Sequence, residues 1–131
     1  MRGAVLLALL LGGCAANASP AAWQPPIGPN PVFDQAPEAV TDRRLIVTDL
    51  RLGPDAVGAA HYHPWEEFLY VIGGSTVISR EGQPDLTLTA GQSIRIAPGT
   101  VHWGRAGDQG LRAVASWVKL DGRPLREAVP E

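Results

Sequence analysis

The chain has 131 residues, a length that supports one hydrophobic core and leaves little for a second. Eleven Lys and Arg against 13 Asp and Glu give a formal charge of -2, with no basic run able to track a phosphate backbone, so no nucleic-acid partner is expected. Fifteen glycines and 12 prolines, with few helix-favouring runs after the N-terminus, point to an all-β fold rich in turns.

Residues 1–18 read as an export signal. Arg2 is followed by an apolar stretch from Ala4 to Leu11 and then by small residues, the order of the charged, hydrophobic and cleavage regions. The stretch is too short to span a bilayer. Leu11-Gly12-Gly13-Cys14 resembles the lipobox of bacterial lipoproteins, in which the cysteine becomes the lipidated first residue of the mature chain. Ala16-Asn17-Ala18 is the competing site, and cleavage after Ala18 would release a soluble periplasmic protein. The expectation is a periplasmic protein whose one membrane attachment is a lipid at Cys14. In lipoproteins an uncharged residue after the cysteine, here Ala15, goes with sorting to the outer membrane. Loss of residues 1–13 leaves ten basic against 13 acidic side chains, a charge of -3. Cys14 is the single cysteine, so disulfides contribute nothing in an oxidising compartment.

Residues 19–40 form a Pro-rich extended arm, with Pro20, Pro25, Pro26, Pro29, Pro31 and Pro37. Such chain is stiff and rises about 3.1 Å per residue, which suits a spacer. Trp23, Ile27, Val32 and Phe33 stand between the prolines and predict that part of the arm packs on its own or a neighbouring sheet.

Residues 41–120 show about eight or nine short strands separated by turn signals, a density that calls for a sandwich or barrel. Arg43–Leu52 alternates, and residues 53–58 break it. Two further strand-like stretches, 59–63 and 67–72, are split by Pro64. Gly73-Gly74 is read as closing the second, Gly91-Gln92 as a turn, Pro98-Gly99 as a corner and residues 107–110 as another turn before 111–120. Residues 121–131 read as a polar C-terminal tail.

Histidine is scarce, yet His61 and His63 are separated by one residue. On a strand they project to one face and Tyr62 to the other, a ready pair of metal ligands. Past Pro64-Trp65, alternation puts Glu67 on the face of Leu69 and Val71, and Glu66 away from it as a solvated turn residue. An inward carboxylate is costly to bury alone, and a cation shared with the histidines removes that cost. The third histidine, His102, follows the Pro98-Gly99 corner.

These residues resemble the two motifs of a small single-domain cupin. The first, G-x5-H-x-H-x3,4-E-x6-G, is matched by His61, His63, Glu67 and Gly74. The second, G-x5-P-x-G-x2-H-x3-N, is matched in spacing by Gly91, Gly99 and His102. Asp55 stands where the first motif begins with glycine, Ala97 where the second has proline, and Ala106 where it ends in asparagine.

The resemblance implies a jelly-roll β-barrel, in which His61, His63, Glu67 and His102 converge on one divalent transition metal, Fe, Mn, Ni, Cu or Zn. It implies a small-molecule ligand or substrate, and a homodimer, since cupins commonly pair through sheet edges. Two functions fit. One is a metal-dependent enzyme, foremost a dioxygenase-like oxidoreductase. The other is a non-catalytic metal- or small-ligand-binding protein of the envelope. Tyr62, Trp65, Trp103 and Trp117 are either core and interface residues or the lining of a substrate pocket. Arg105, Arg112 and Ser116 are the candidates for a further acid or base.

Overall fold

A computed structural model describes residues 24–129; Cys14 and the rest of the export segment lie outside the described residues. The strands are β1 Gly28–Gln35, β2 Arg43–Leu52, β3 His61–Tyr62, β4 Glu67–Arg80, β5 Gln83–Thr89, β6 Ser93–Ile96, β7 His102–Leu120 and β8 Glu127–Ala128. No helix occurs among the described residues, and the strands join antiparallel in one curled sheet.

β7 organises that sheet. Its second half pairs with β2 from Leu111 to Leu120, and both halves pair with β4. Its first residue, His102, lies opposite His61 of β3. Between β2 and β3 the chain keeps running along β7: Asp55 N–H donates to Gly107 O at 3.0 Å, Ala106 N–H to Ala56 O at 2.9 Å and Gly58 N–H to Gly104 O at 2.9 Å. This run delivers β3 to the start of β7.

Two expected strand ends are not ends. Gly73-Gly74 does not close a strand, because β4 continues to Arg80 and changes its inward face at the bulges around the glycines. Glu67, Leu69 and Val71 are buried before them, Thr76 and Ile78 after them. A bulge interrupts the ladder for a residue, and pairing resumes beyond it with the side-chain alternation shifted. Gly74 permits the crossing: its φ is +69°, and a Cβ there would lie 2.0 Å from the Gly110 carbonyl oxygen. The expected turn at residues 107–110 is likewise an excursion within β7, with those four residues opposite Ser75 alone.

Asp55 has a φ of 55°. Left-handed backbone costs most side chains about 1–2 kcal/mol, with Asp among the few that visit it routinely. Asp55, which stands where the first motif begins with glycine, thus adopts a backbone conformation that glycine takes without strain.

Of the arm, residues 28–35 are β1, an edge strand on the chain's own sheet, paired with β2. Proline fits an edge because its missing N–H breaks no interior ladder. Pro25 is fully buried, its carbonyl accepts from Arg51 at 2.9 Å, and the Asn30 amide donates to the Asp49 carbonyl at 3.0 Å. The interior beneath the site is apolar, with Ile46, Leu69, Val71, Ala113, Ala115 and Trp117 all buried.

The segment read as a polar tail packs instead of hanging free: β8 pairs with β3, and Leu125 lies against the core. Its short apolar side chains and two-residue strand carry too little periodicity to stand out in the sequence.

Candidate metal centre

Each of the four residues takes its place from a strand end. His61 opens β3 opposite His102, the first residue of β7; Glu67 opens β4; His63 lies just past β3. The Pro98-Gly99 corner is tied to this last segment by Gly99 N–H, which donates to His63 O at 2.8 Å. The result is one cluster. One ligand atom from each of His61, His63, Glu67 and His102 lies within 4.8 Å of every other, and the ring centroids are 4.5, 4.9 and 5.4 Å apart. His63, Glu67 and His102 are buried and His61 is half-buried.

The hydrogen bonds fix which nitrogens face the centre. His61 Nδ1 bonds the Ala59 carbonyl at 2.9 Å, His63 Nδ1 the Leu125 carbonyl at 2.9 Å and His102 Nδ1 the Thr100 carbonyl at 2.8 Å. A carbonyl oxygen only accepts, so every Nδ1 carries the proton and every Nε2 of a neutral ring presents a lone pair. Metal-ligating histidines are held in this way, with the second nitrogen on a carbonyl or carboxylate.

Glu67 Oε2 lies 3.1 Å from Nε2 of both His102 and His63. His102 has hydrogen-bonding geometry to it, whereas His63 Nε2 lies off that direction and is a buried nitrogen without a hydrogen-bond partner. Lone pairs and a carboxylate facing one another need a positive charge among them, a proton or a metal ion. The donor set, three imidazoles and one carboxylate with no thiolate, fits a divalent transition ion and leaves room in its shell for water or substrate.

The same contest shows in acidity. Burial pushes the Glu67 carboxyl up, but the hydrogen bond from His102 and the nearness of both the His102 and His63 rings outweigh it and hold the group at about 2. Burial pulls His102 down, and its bonds to Glu67 and Thr100 raise it further than burial lowers it. Burial lowers His61.

Several other candidates stand apart. Glu66 points outward and pairs with Arg95. Arg105 is exposed beside Asp55, Arg112 makes a two-pronged pair with Asp49 at 2.8 and 3.2 Å, and Ser116 lies opposite outward-facing Phe68. None of the three supplies an acid or base to the cluster. Trp103 is at the surface, the Trp65 indole donates to the Pro124 carbonyl at 3.1 Å, and the Tyr62 hydroxyl donates to Glu127 at 2.6 Å. Trp117 is buried against His63, ring centroids 5.1 Å apart, with its indole N–H unpartnered. The carbonyls of Ala59, Thr100 and Leu125 escape sequence reasoning altogether, since every residue carries one.

A curled antiparallel sheet with a three-histidine, one-carboxylate cluster defines a cupin-type architecture. The model of the cupin domain matches residues 49–119, and the chain belongs to that family. Solved structures give the same fold. A cupin-like protein from Thermotoga maritima shares 22% identity over 77% of this chain and 74% of its own, with a TM-score of 0.62. For the DMSP lyase DddQ from Ruegeria pomeroyi the values are 19%, 76%, 52% and 0.58, and for an oxalate decarboxylase from Lactobacillus farciminis 20%, 76%, 31% and 0.56. This chain therefore spans about half of the lyase (52%) and less than a third (31%) of the decarboxylase. No curated protein matches the sequence.

Proposed function

We propose that this chain is an exported metal-dependent cupin enzyme acting on a small molecule, with His61, His63, Glu67 and His102 holding one divalent ion. The observation that carries the reading is the convergence on a buried carboxylate of three imidazoles whose Nδ1 atoms are each engaged by a backbone carbonyl, which leaves Nε2 to the centre. When bound, the ion supplies Lewis-acid chemistry and, if redox-active, electron transfer. The protein's part is to hold three imidazoles in one tautomer, to exclude water with Trp117 and the apolar interior, and to keep Glu67 ionised as a ligand or a proton acceptor.

Among reaction classes we place a dioxygenase-like oxidoreductase first. Two of the structural neighbours are named as a lyase and a decarboxylase, so related small-molecule chemistry belongs to the same proposal. The second reading, a non-catalytic metal- or small-ligand-binding protein, is favoured by one observation: Arg105, Arg112 and Ser116 add no acid or base at the cluster. Metal identification on protein purified from its own envelope separates the two. Iron, manganese or copper supports oxygen chemistry, and zinc with no turnover of candidate substrates supports plain binding.

Export rests on residues 1–18. A diacylglyceryl adduct on Cys14 in the membrane fraction, read by mass spectrometry, supports the outer-membrane anchor; a mature terminus at Ser19 supports secretion to the periplasm.

A further inference from the structure

Residues 124–128 return across the cluster and are tied to the stretch that carries two of its histidines. β8 pairs with β3, so that Ala128 lies opposite His61 and Glu127 opposite Tyr62. The Tyr62 hydroxyl donates to Glu127 Oε2 at 2.6 Å, and Trp65 Nε1 donates to Pro124 O at 3.1 Å. His63 Nδ1 donates to Leu125 O at 2.9 Å, and Leu125 packs against the core.

The three histidines are not held alike. His61 and His102 bond carbonyls two residues earlier in their own segments, Ala59 and Thr100. His63 bonds a carbonyl 62 residues later in the chain. Its ring is therefore set by a segment that contributes no side chain to the cluster. Without that carbonyl, Nδ1 is left to water and the ring loses both its fixed tautomer and its fixed orientation.

We propose that residues 124–128 are a positioning strap for the metal ion: Leu125 O orients His63, the Tyr62–Glu127 bond latches the strap, and strap docking and metal binding strengthen each other. The inference rests on the metal-centre reading above. The coupling runs both ways by thermodynamic necessity, so whatever loosens the strap weakens metal binding, and metal binding tightens the strap. Loss of a partner that orients a metal-ligating histidine costs 10- to 100-fold in affinity as a rule. Tyr62 and Glu127 are suitable places to test this, because neither is a ligand and Tyr62 projects away from His61 and His63.

The test is cobalt(II) binding to the full chain, with hydrogen exchange read at the same time. Tyr62→Phe and Glu127→Ala should each weaken cobalt affinity about 10-fold at unchanged stoichiometry. The double variant should be no weaker than either single one, and Glu127→Gln, which keeps an acceptor for the phenol, should recover most of the loss. In the wild type, cobalt should slow amide exchange at residues 125–128, and it should do so less in Tyr62→Phe. Equal affinity in all variants, or exchange at 125–128 indifferent to cobalt, would overturn the strap and leave the metal centre standing. A wild-type chain that binds no cobalt overturns the metal centre and the strap with it. A Glu127→Gln chain as weak as Glu127→Ala contradicts the latch.

Discussion

Replacement of Glu67 by Gln in the metal-free protein tests the electrostatics of the cluster. Glu67 is only 7% exposed, and its acidity is shifted from an ordinary 4.5 to about 2 because the neighbouring imidazoles more than offset burial. At about 1.4 kcal/mol per pH unit, that depression is worth roughly 3 kcal/mol of stability. The sign follows from the depressed value: the contribution is present above the unfolded pKa and is lost as pH falls from 4.5 to about 2. His102, which is raised, supplies its share below 6.5 and loses it as pH rises through the raised value. The gap between wild type and Glu67→Gln should therefore be widest at about pH 5–6, at up to about 3 kcal/mol, and should narrow on both sides. Urea unfolding of metal-free protein at a series of pH values measures it, with equal denaturant slopes as the check on two-state behaviour. A gap that stays constant with pH, or is absent at about pH 5–6, would refute the reasoning.

Three further outcomes are expected. Glu66→Gln should leave metal stoichiometry unchanged and shift stability by less than about 1 kcal/mol, since its pair with Arg95 is exposed; equal metal loss for Glu66 and Glu67 variants would show the inward register to be wrong. Gly74→Ala should cost at least about 2 kcal/mol in thermal or chemical unfolding, combining a left-handed φ with a clash against the Gly110 carbonyl. Asp55→Val should be at least about 1 kcal/mol less stable than Asp55→Gly, because the φ of 55° suits glycine and penalises a β-branched residue.

What the sequence discloses and what it hides divide along physical lines. Alternation placed His61 with His63, and Glu67 with Leu69 and Val71, because side-chain parity on a strand is a local property; the burial of Glu67, Leu69 and Val71 follows it. The spacing from Gly91 to His102 located the third histidine, which the structure brings opposite His61. Glycine pairs misled, since Gly73-Gly74 looks like a turn from its propensity alone. Its true role, a bulge that lets β4 pass close to Gly110, depends on a partner strand far along the chain. The bonds that fix the imidazole rings were hidden for a different reason: they come from backbone carbonyls, and the one serving His63 lies in a stretch whose composition reads as tail.

The central claim is that His61, His63, Glu67 and His102 bind one ion together. Reconstitution with zinc, followed by elemental analysis and X-ray absorption spectroscopy, tests it most directly. The account predicts one ion per chain, with a shell dominated by imidazole nitrogen at about 2.0–2.1 Å, and reduced stoichiometry in both His61→Ala and His102→Ala. An absorption spectrum without histidine scattering, or full stoichiometry in both variants, would contradict it.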